Sequence, residues 1–316
     1  MTLFARLAAI TAVFVFVQIV LGAVVRLTNS GLSCPDWPLC YGLWLPTPAK
    51  LAAIPGVDYS FGQVMAEWTH RLNAAAVVTP LVVVLVALAW RLRRERTDLM
   101  ATMAWALAVL AAQAVLGGFT VLDRNSPWSV AVHLTAALLL LALVLRAHMA
   151  ARGAVGASPV ADVRHFANAA LLLTLITVAG GAMVAKSGAT LACASWPLCD
   201  GALVPDLGDA LVRTNFGHRL LALGTAAAVF ALWRVARRLD AGARGPLVRA
   251  ANMALATLAL QIAVGALVVP AFAGGSLALQ VAAGTVHQAV GVVLFATLAV
   301  MLWRAQAVGS AGDRAA

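Results

Sequence analysis

The stretch Glu67-Trp68-Thr69-His70-Arg71-Leu72 opens one long apolar segment, and Asn215-Phe216-Gly217-His218-Arg219-Leu220 opens another. A loop with two cysteines precedes each stretch, and a further histidine, His133 or His287, follows it. Both cysteines recur after 159 residues, the first histidine after 148 and the second after 154. The sequence therefore predicts one histidine-bearing unit that occurs twice, with a glutamate in the first copy and an asparagine in the second.

The composition indicates that the chain lies in a lipid bilayer. Of its 316 residues, 63% are hydrophobic and only 11% are charged, and the mean hydropathy is +0.93. Soluble domains of this size carry far more charge. The net charge of +10 does not indicate a nucleic-acid partner, because the basic residues cluster in short loops between apolar runs.

Apolar runs of about 20 residues are long enough to cross a membrane as helices. The sequence predicts an all-α, polytopic membrane protein of eight transmembrane helices in two pseudo-symmetric four-helix bundles. Because each half has an even number of spans, we expect both halves to share one orientation. The predicted halves are 1–150 and 160–306, a tail follows at 307–316, and the predicted spans are 7–25, 68–90, 99–121, 128–147, 166–185, 215–233, 250–270 and 280–303.

The arginines predict the orientation. Fifteen of the 22 Lys and Arg residues fall on one side of the predicted spans, and this excess marks the cytoplasmic face. We therefore expect a multi-pass protein of the bacterial inner (plasma) membrane, with both termini in the cytoplasm and the loops after spans 1, 3, 5 and 7 outside.

The cysteine pairs lie in these outer loops, where oxidising conditions favour disulfides. We predict the disulfides Cys34–Cys40 and Cys193–Cys199, both structural in the simplest interpretation. A redox relay stays an alternative for the first pair, because its longer loop lies just upstream of Glu67.

Four histidines, His70, His133, His218 and His287, fall near the outer ends of even-numbered spans, two in each half. Two facing imidazoles on neighbouring helices are the axial ligands of a haem iron in many membrane cytochromes. Zinc is the alternative metal, but it prefers tetrahedral sites with more ligands. The repeated pairs therefore favour haem ligation.

Two further residue types accompany the histidines. Arg71 and Arg219 suit the propionates of a haem or, equally, lipid headgroups at the interface. Glu67 lies three residues before His70, on the same helix face, where a buried carboxylate can act as a general acid or base. The alternative is that Glu67 only caps the helix start. Asn215, its counterpart, cannot exchange a proton, which predicts a reactive first half and an electron-carrying second half.

A polar residue followed four positions later by glycine recurs in spans 1, 3, 5 and 7, for example Gln18 with Gly22. Small residues let helices, or a flat ligand, approach closely. Helix packing alone is the preferred explanation at this point.

The combined pattern of Glu67-Trp-Thr-His70-Arg71, Gly217-His218-Arg219, the two later histidines and the outer cysteine loops resembles the haem A synthase family over nearly the whole chain. This resemblance implies an oxidoreductase that converts the C8 methyl of haem O to the formyl of haem A, for terminal oxidases. It also implies that His70 and His133 flank haem O, that Glu67 is catalytic and that Cys34 and Cys40 are functional. A haem b cofactor would lie between His218 and His287.

Further expectations follow from this resemblance. Haem O would arrive from a haem O synthase, electrons would pass to or from a partner that the sequence does not identify, and homo-oligomers are compatible with the pattern. Two histidines on the substrate iron would leave no open position, so either one ligand is labile or oxidation proceeds by electron removal.

Two other functions remain compatible with paired histidines: a di-haem b-type cytochrome for electron transfer, and a haem carrier for oxidase assembly. Neither function needs a carboxylate in one half alone. The difference between Glu67 and Asn215 therefore favours an enzyme.

Overall fold

The structure is a computed structural model that describes residues 1–157, 160–239 and 241–306, without the side chains of 241–244. These residues form helices and loops and no strand, which confirms the all-α prediction. The α-helices are α1 (Thr2–Leu27), α2 (Pro48–Ala52), α3 (Phe61–Leu72), α4 (Thr79–Arg91), α5 (Thr97–Leu122), α6 (Pro127–Ala151), α7 (Ala161–Ser187), α8 (Ala210–Arg237), α9 (Ala241–Gly274) and α10 (Leu277–Ala305). A π-helix (Asn73–Val78) joins α3 to α4, and a 3₁₀-helix (Ala189–Leu191) follows α7.

Eight helical segments in the described chain are long and apolar enough to cross a membrane, as predicted. The second of them combines α3, the π-helix and α4 into one span, Phe61–Arg91. The tail predicted at 307–316 lies outside the described residues. The division into two pseudo-symmetric bundles at 1–150 and 160–306 stays a prediction.

The second span begins at Phe61, seven residues before the predicted start at 68. Ser60 and Gln63 form a capping box, in which each side chain bonds the main-chain N–H of the other. This box satisfies the free N–H groups of the first turn, so the helix extends through polar residues that hydropathy excludes. Glu67 consequently lies in the second turn, and the alternative that it caps the helix start is wrong.

The π-helix lies directly before Pro80, where the sequence predicts a kink. Pro80 belongs to the first turn of α4. Proline lacks an N–H, and its ring conflicts with the carbonyl four residues earlier. A π-turn widens the helix there and accommodates both effects, and such turns are common at functional sites.

The helices α6 and α10 are the most deeply buried of the eight spans and contact helices of both predicted halves. One apolar cluster joins the first-half helices to the inner face of α10, with Leu138 and Phe295 fully buried. A second cluster lies among α7, α8, α9 and α10. The interior therefore runs continuously through both halves.

Candidate haem-binding sites

The two cysteine loops have the same local structure. Both predicted disulfides are formed, with a Cα–Cα distance of 4.6 Å in each. Each second cysteine pairs through its main chain with the residue three positions later, Cys40 with Leu43 and Cys199 with Ala202. A cis Trp–Pro peptide occurs at the same place in both loops. The repeat that the sequence indicates is therefore present in the backbone of these loops.

Arg71 fixes the first loop to α3. Its guanidinium donates to the carbonyl oxygens of Cys34 at 2.9 Å, of Leu39 at 2.8 Å and of Asp36. A fourth donor pairs with the Glu67 carboxylate at 2.5 Å. One side chain thus holds both ends of the disulfide loop against the helix that carries His70.

Arg219 does the same in the second half. It donates to the carbonyl oxygens of Cys193 at 2.7 Å, Ser195 at 2.8 Å and Leu198 at 3.0 Å, and to the Asn215 amide oxygen at 2.9 Å. Sequence reasoning proposed propionates or headgroups as partners for both arginines and missed this contact with the loops. The propionate contact stays a prediction.

Glu67 is 3% exposed, and its carboxylate accepts three hydrogen bonds. One carboxylate oxygen accepts from Cys34 N at 2.8 Å and from Ser33 Oγ at 3.0 Å, and the other accepts from Arg71. Buried carboxylate oxygens need hydrogen-bond donors, and these three groups satisfy them. The first loop therefore offers donors to its buried carboxylate.

Asn215 is buried at the corresponding place, but its hydrogen bonds to the loop run in the opposite direction. Its amide nitrogen donates to the carbonyl oxygens of Ala189 at 2.8 Å and Thr190 at 3.1 Å. The 3₁₀-helix that precedes the second disulfide loop therefore offers acceptors, which a carboxylate cannot satisfy. The backbone groups that bond Asn215 thus differ from those that bond Glu67.

All four predicted ligand histidines lie against the glycine of the recurring polar-residue-to-glycine motif. A Cβ atom on each glycine would lie within 3.4 Å of Cε1 of one imidazole, and at Gly265 the imidazole would have to move. The motif therefore makes room for the histidines, and helix packing alone does not explain it. The pairs and their distances are Gly22–His70 3.2 Å, Gly117–His133 3.4 Å, Gly181–His218 3.2 Å and Gly265–His287 2.8 Å.

The polar residue of the motif faces the same imidazole in three of the four cases. The Gln18 amide nitrogen lies 3.1 Å from Nδ1 and 3.2 Å from Nε2 of His70, and its oxygen accepts from Asn73, in the π-helix, at 2.7 Å. The Gln261 amide lies 3.4 Å from Nε2 of His287.

In the third case the contact is made by the main chain: Nδ1 of His218 lies 3.1 Å from the carbonyl oxygen of Thr177. An N–H donated from Nδ1 to this oxygen would leave Nε2 as the free ring nitrogen, which is the usual arrangement of an iron-ligating histidine.

The donor set fits a haem better than a zinc ion. Within the described residues, no three His, Cys, Asp or Glu side chains come together as a metal site. The Nδ1 atoms of His133 and His287 are buried and have no hydrogen-bond partner there. Imidazoles in pairs, next to glycines that leave space for a flat ring, suit axial ligation of a porphyrin iron.

A cavity of about 670 Å³ opens among the first-half helices. This volume is in the range of about 300–1,000 Å³ that is usual for cofactor and ligand sites. His70 and His133 both line the cavity, and Glu67 is the only carboxylate among the described residues that line it. The wall of the cavity is mostly apolar and includes Trp37 and Trp44 of the disulfide loop.

Comparisons with known proteins show the family to which this chain belongs. A family model described as cytochrome oxidase assembly protein matches residues 5–299. A heme A synthase of Symbiobacterium thermophilum is 35% identical over 257 residues, which are 78% of this chain and 79% of the relative. The heme A synthase of Rhodopseudomonas palustris is 30% identical over 339 aligned positions, covering 92% and 88%. That of Rhodospirillum centenum is 31% identical, covering 81% and 77%. With the family model spanning almost every helix of the bundle and these relatives aligned over most of their length, the chain belongs to the haem A synthase family.

Proposed function

We propose that this chain is a haem A synthase, an oxidoreductase that converts the C8 methyl of haem O to a formyl group. The observation that carries the proposal is that His70, His133 and Glu67 all line one cavity. The names of its relatives support the same activity. An electron-transfer cytochrome or a haem carrier would not need the carboxylate in that wall.

In the first half, His70 and His133, which both line the cavity, would hold the iron of haem O. Gln18 orients His70 through its amide, and Asn73 fixes the amide of Gln18. The apolar wall of the cavity, which includes Trp37 and Trp44 of the disulfide loop, would contact the porphyrin.

Glu67 accepts protons that the reaction releases. Oxidation of a methyl to a formyl removes four electrons from the carbon and adds one oxygen atom. When water supplies that oxygen, four protons are released in the apolar cavity and need an acceptor, and the four electrons leave to the electron partner. The carboxylate of Glu67 is held in place by Ser33, Cys34 and Arg71. A fixed carboxylate next to the substrate can accept a proton during oxidation, as a general base does.

In the second half, His218 and His287 hold a haem b. Their ring nitrogens and the adjacent glycines, Gly181 and Gly265, support this assignment. A haem bound there would accept and pass on single electrons. Asn215 keeps the loop in place and supplies no proton acceptor, which agrees with a purely electron-carrying site.

The membrane orientation belongs to the proposal as well. The four histidines lie within about three turns of the starts of α3, α6, α8 and α10. The arginine-rich loop between α4 and α5 lies at the opposite ends of the helices. With that side in the cytoplasm of a bacterial cell, both termini are cytoplasmic and both haem sites lie near the outer face. Haem O is received from a haem O synthase, and an electron partner completes the reaction.

The test is the variant Glu67→Gln, because glutamine keeps the size of the side chain and removes the proton acceptor. The full-length protein is expressed in cells that make haem O, and its extracted haems are separated into b, o and a types. We expect bound haem to remain and haem O to accumulate in place of haem A. Unchanged production of haem A would contradict the role of Glu67.

The cofactor assignment has its own test. His218→Ala and His287→Ala should each lower the haem b content of the purified protein, seen in its absorption spectrum. Arg213→Gln, on the exposed outer part of α8, is the control. An unchanged spectrum in both histidine variants would remove the assignment.

A further inference from the structure

Two cations, Arg26 and Lys186, line the cavity that contains His70 and His133. Arg26 lies in the last turn of α1, and Lys186 lies in the last turn of α7. The two helices belong to different halves of the repeat, so both halves contribute charge to the first-half cavity.

No carboxylate neutralises these cations. Within the part of the chain that the structure describes, neither Arg26 nor Lys186 makes an ion pair. The carboxylate in the cavity wall, Glu67, is bonded to Arg71. The Nε atom of Arg26 is buried without a partner, and Lys186 lies within electrostatic range of Arg26. Uncompensated charge in an apolar surrounding is unfavourable, so this end of the cavity favours an anion.

Gln288 holds Arg26 in place. Its amide nitrogen donates to the carbonyl oxygen of Ile19 at 3.0 Å, and its amide oxygen accepts from Arg26. Gln288 directly follows His287 in α10 and lines the same first-half cavity. The guanidinium is thus oriented by a neutral partner, which leaves its charge available to a ligand.

Arg26 lies on the same side of α1 as the glycine next to His70, and both Arg26 and His70 line the cavity. Arg26 lies four residues after Gly22, the glycine that contacts His70, and so on the same face of α1. Four residues advance about 6 Å along a helix. A porphyrin whose iron lies at His70 carries its carboxylates on one edge of the ring, several ångströms from the iron.

We propose that Arg26 and Lys186 bind the two propionate carboxylates of the porphyrin substrate, with Gln288 as the positioning residue for Arg26. This inference rests on the proposed function, because it concerns the same cavity. It gives the propionates partners other than Arg71, whose donors are engaged with the disulfide loop.

The test compares two ligands that differ only in charge, iron protoporphyrin IX and its dimethyl ester. The full-length chain carries His287→Ala, so that the titration reports the first-half cavity, and is purified from cells that make no haem. Affinity is measured from the Soret band, for this parent chain, Arg26→Gln, Lys186→Gln and the double variant. Lys50→Gln, at an exposed lysine of the outer loop, is the matched control.

We expect the parent to bind the diacid at least about tenfold more tightly than the diester. The reason is that only the diacid can form hydrogen bonds between charged groups with Arg26 and Lys186. Each single variant should reduce this preference, the double variant should abolish it, and Lys50→Gln should retain it. Arg26→Lys should keep part of it, which distinguishes loss of charge from misfolding.

Two outcomes would overturn the inference and leave the proposed function intact: a parent that binds diacid and diester equally, or a preference that survives the double variant. If the parent binds neither porphyrin, the haem site itself is absent, and the proposed function fails together with the inference.

Discussion

The Cε1 atom of His287 lies 2.8 Å from the position that a Cβ atom on Gly265 would occupy. This is the closest of the four contacts between a glycine and a proposed ligand histidine. At this distance the imidazole of His287 would have to move to accept a side chain at position 265.

Gly265→Ala should therefore reduce haem b in the second half. Overpacking of this kind costs about 1–3 kcal/mol, which corresponds to a loss of affinity of about 5- to 150-fold. The measurement is haem b per protein. Gly274→Ala, at an exposed end of the same helix where an added Cβ meets nothing, should leave it unchanged. Equal haem contents in both variants would show that the imidazole adjusts freely.

Gln18→Leu should weaken the first site and leave the second one intact. Leucine removes the amide that faces His70 and leaves Asn73 without its acceptor. We expect a changed spectrum and weaker binding for the haem in the first-half cavity alone. Thr177→Val is the matched control, because His218 is held by the main-chain carbonyl of Thr177, which the substitution retains. A spectrum altered equally by both variants would contradict this assignment.

Arg71→Gln should destabilise the protein strongly, because it leaves the buried carboxylate of Glu67 without its cation. Breaking a buried ion pair costs about 3–5 kcal/mol. The measurements are unfolding in detergent and the rate of proteolysis in the disulfide loop. Arg213→Gln, which removes two hydrogen bonds at an exposed site, should cost no more than about 1 kcal/mol per bond. Similar losses in both variants would show that the Arg71 contact adds little.

The two disulfides can be compared directly, because their loops have the same size and local structure. Replacing Cys34 and Cys40 by serine should cost about 2 kcal/mol in chain entropy, and the same replacement at Cys193 and Cys199 should cost the same. If both bridges are structural, enzyme activity normalised to folded protein should survive in both variants. Selective loss of activity in the first variant would show that the Cys34–Cys40 bridge does more than stabilise the fold.

The sequence predicts the parts of this fold that depend on local chemistry. Long apolar runs indicate all eight spans, and cysteine spacing indicates both disulfides. The start of the second span is wrong by seven residues, since Ser60 and Gln63 stabilise a polar first turn that hydropathy does not register. The capping alternative for Glu67 fails for the same reason.

Contacts between distant segments were not predictable in the same way. The spacing of Gln18 and Gly22 is visible in the sequence, but nothing local indicates that it faces His70 on another helix. The carbonyl oxygens that Arg71 and Arg219 bind belong to loop backbone, which has no signature in residue type. Repetition was the available signal, because all these positions recur at matching places in the two halves.

Asn215 anchors its loop by donating where Glu67 accepts. An amide therefore maintains the scaffold as well as a carboxylate does, provided that the facing backbone turns its carbonyl groups inward. The two copies therefore share one loop architecture, although only the first carries an ionisable group at this position.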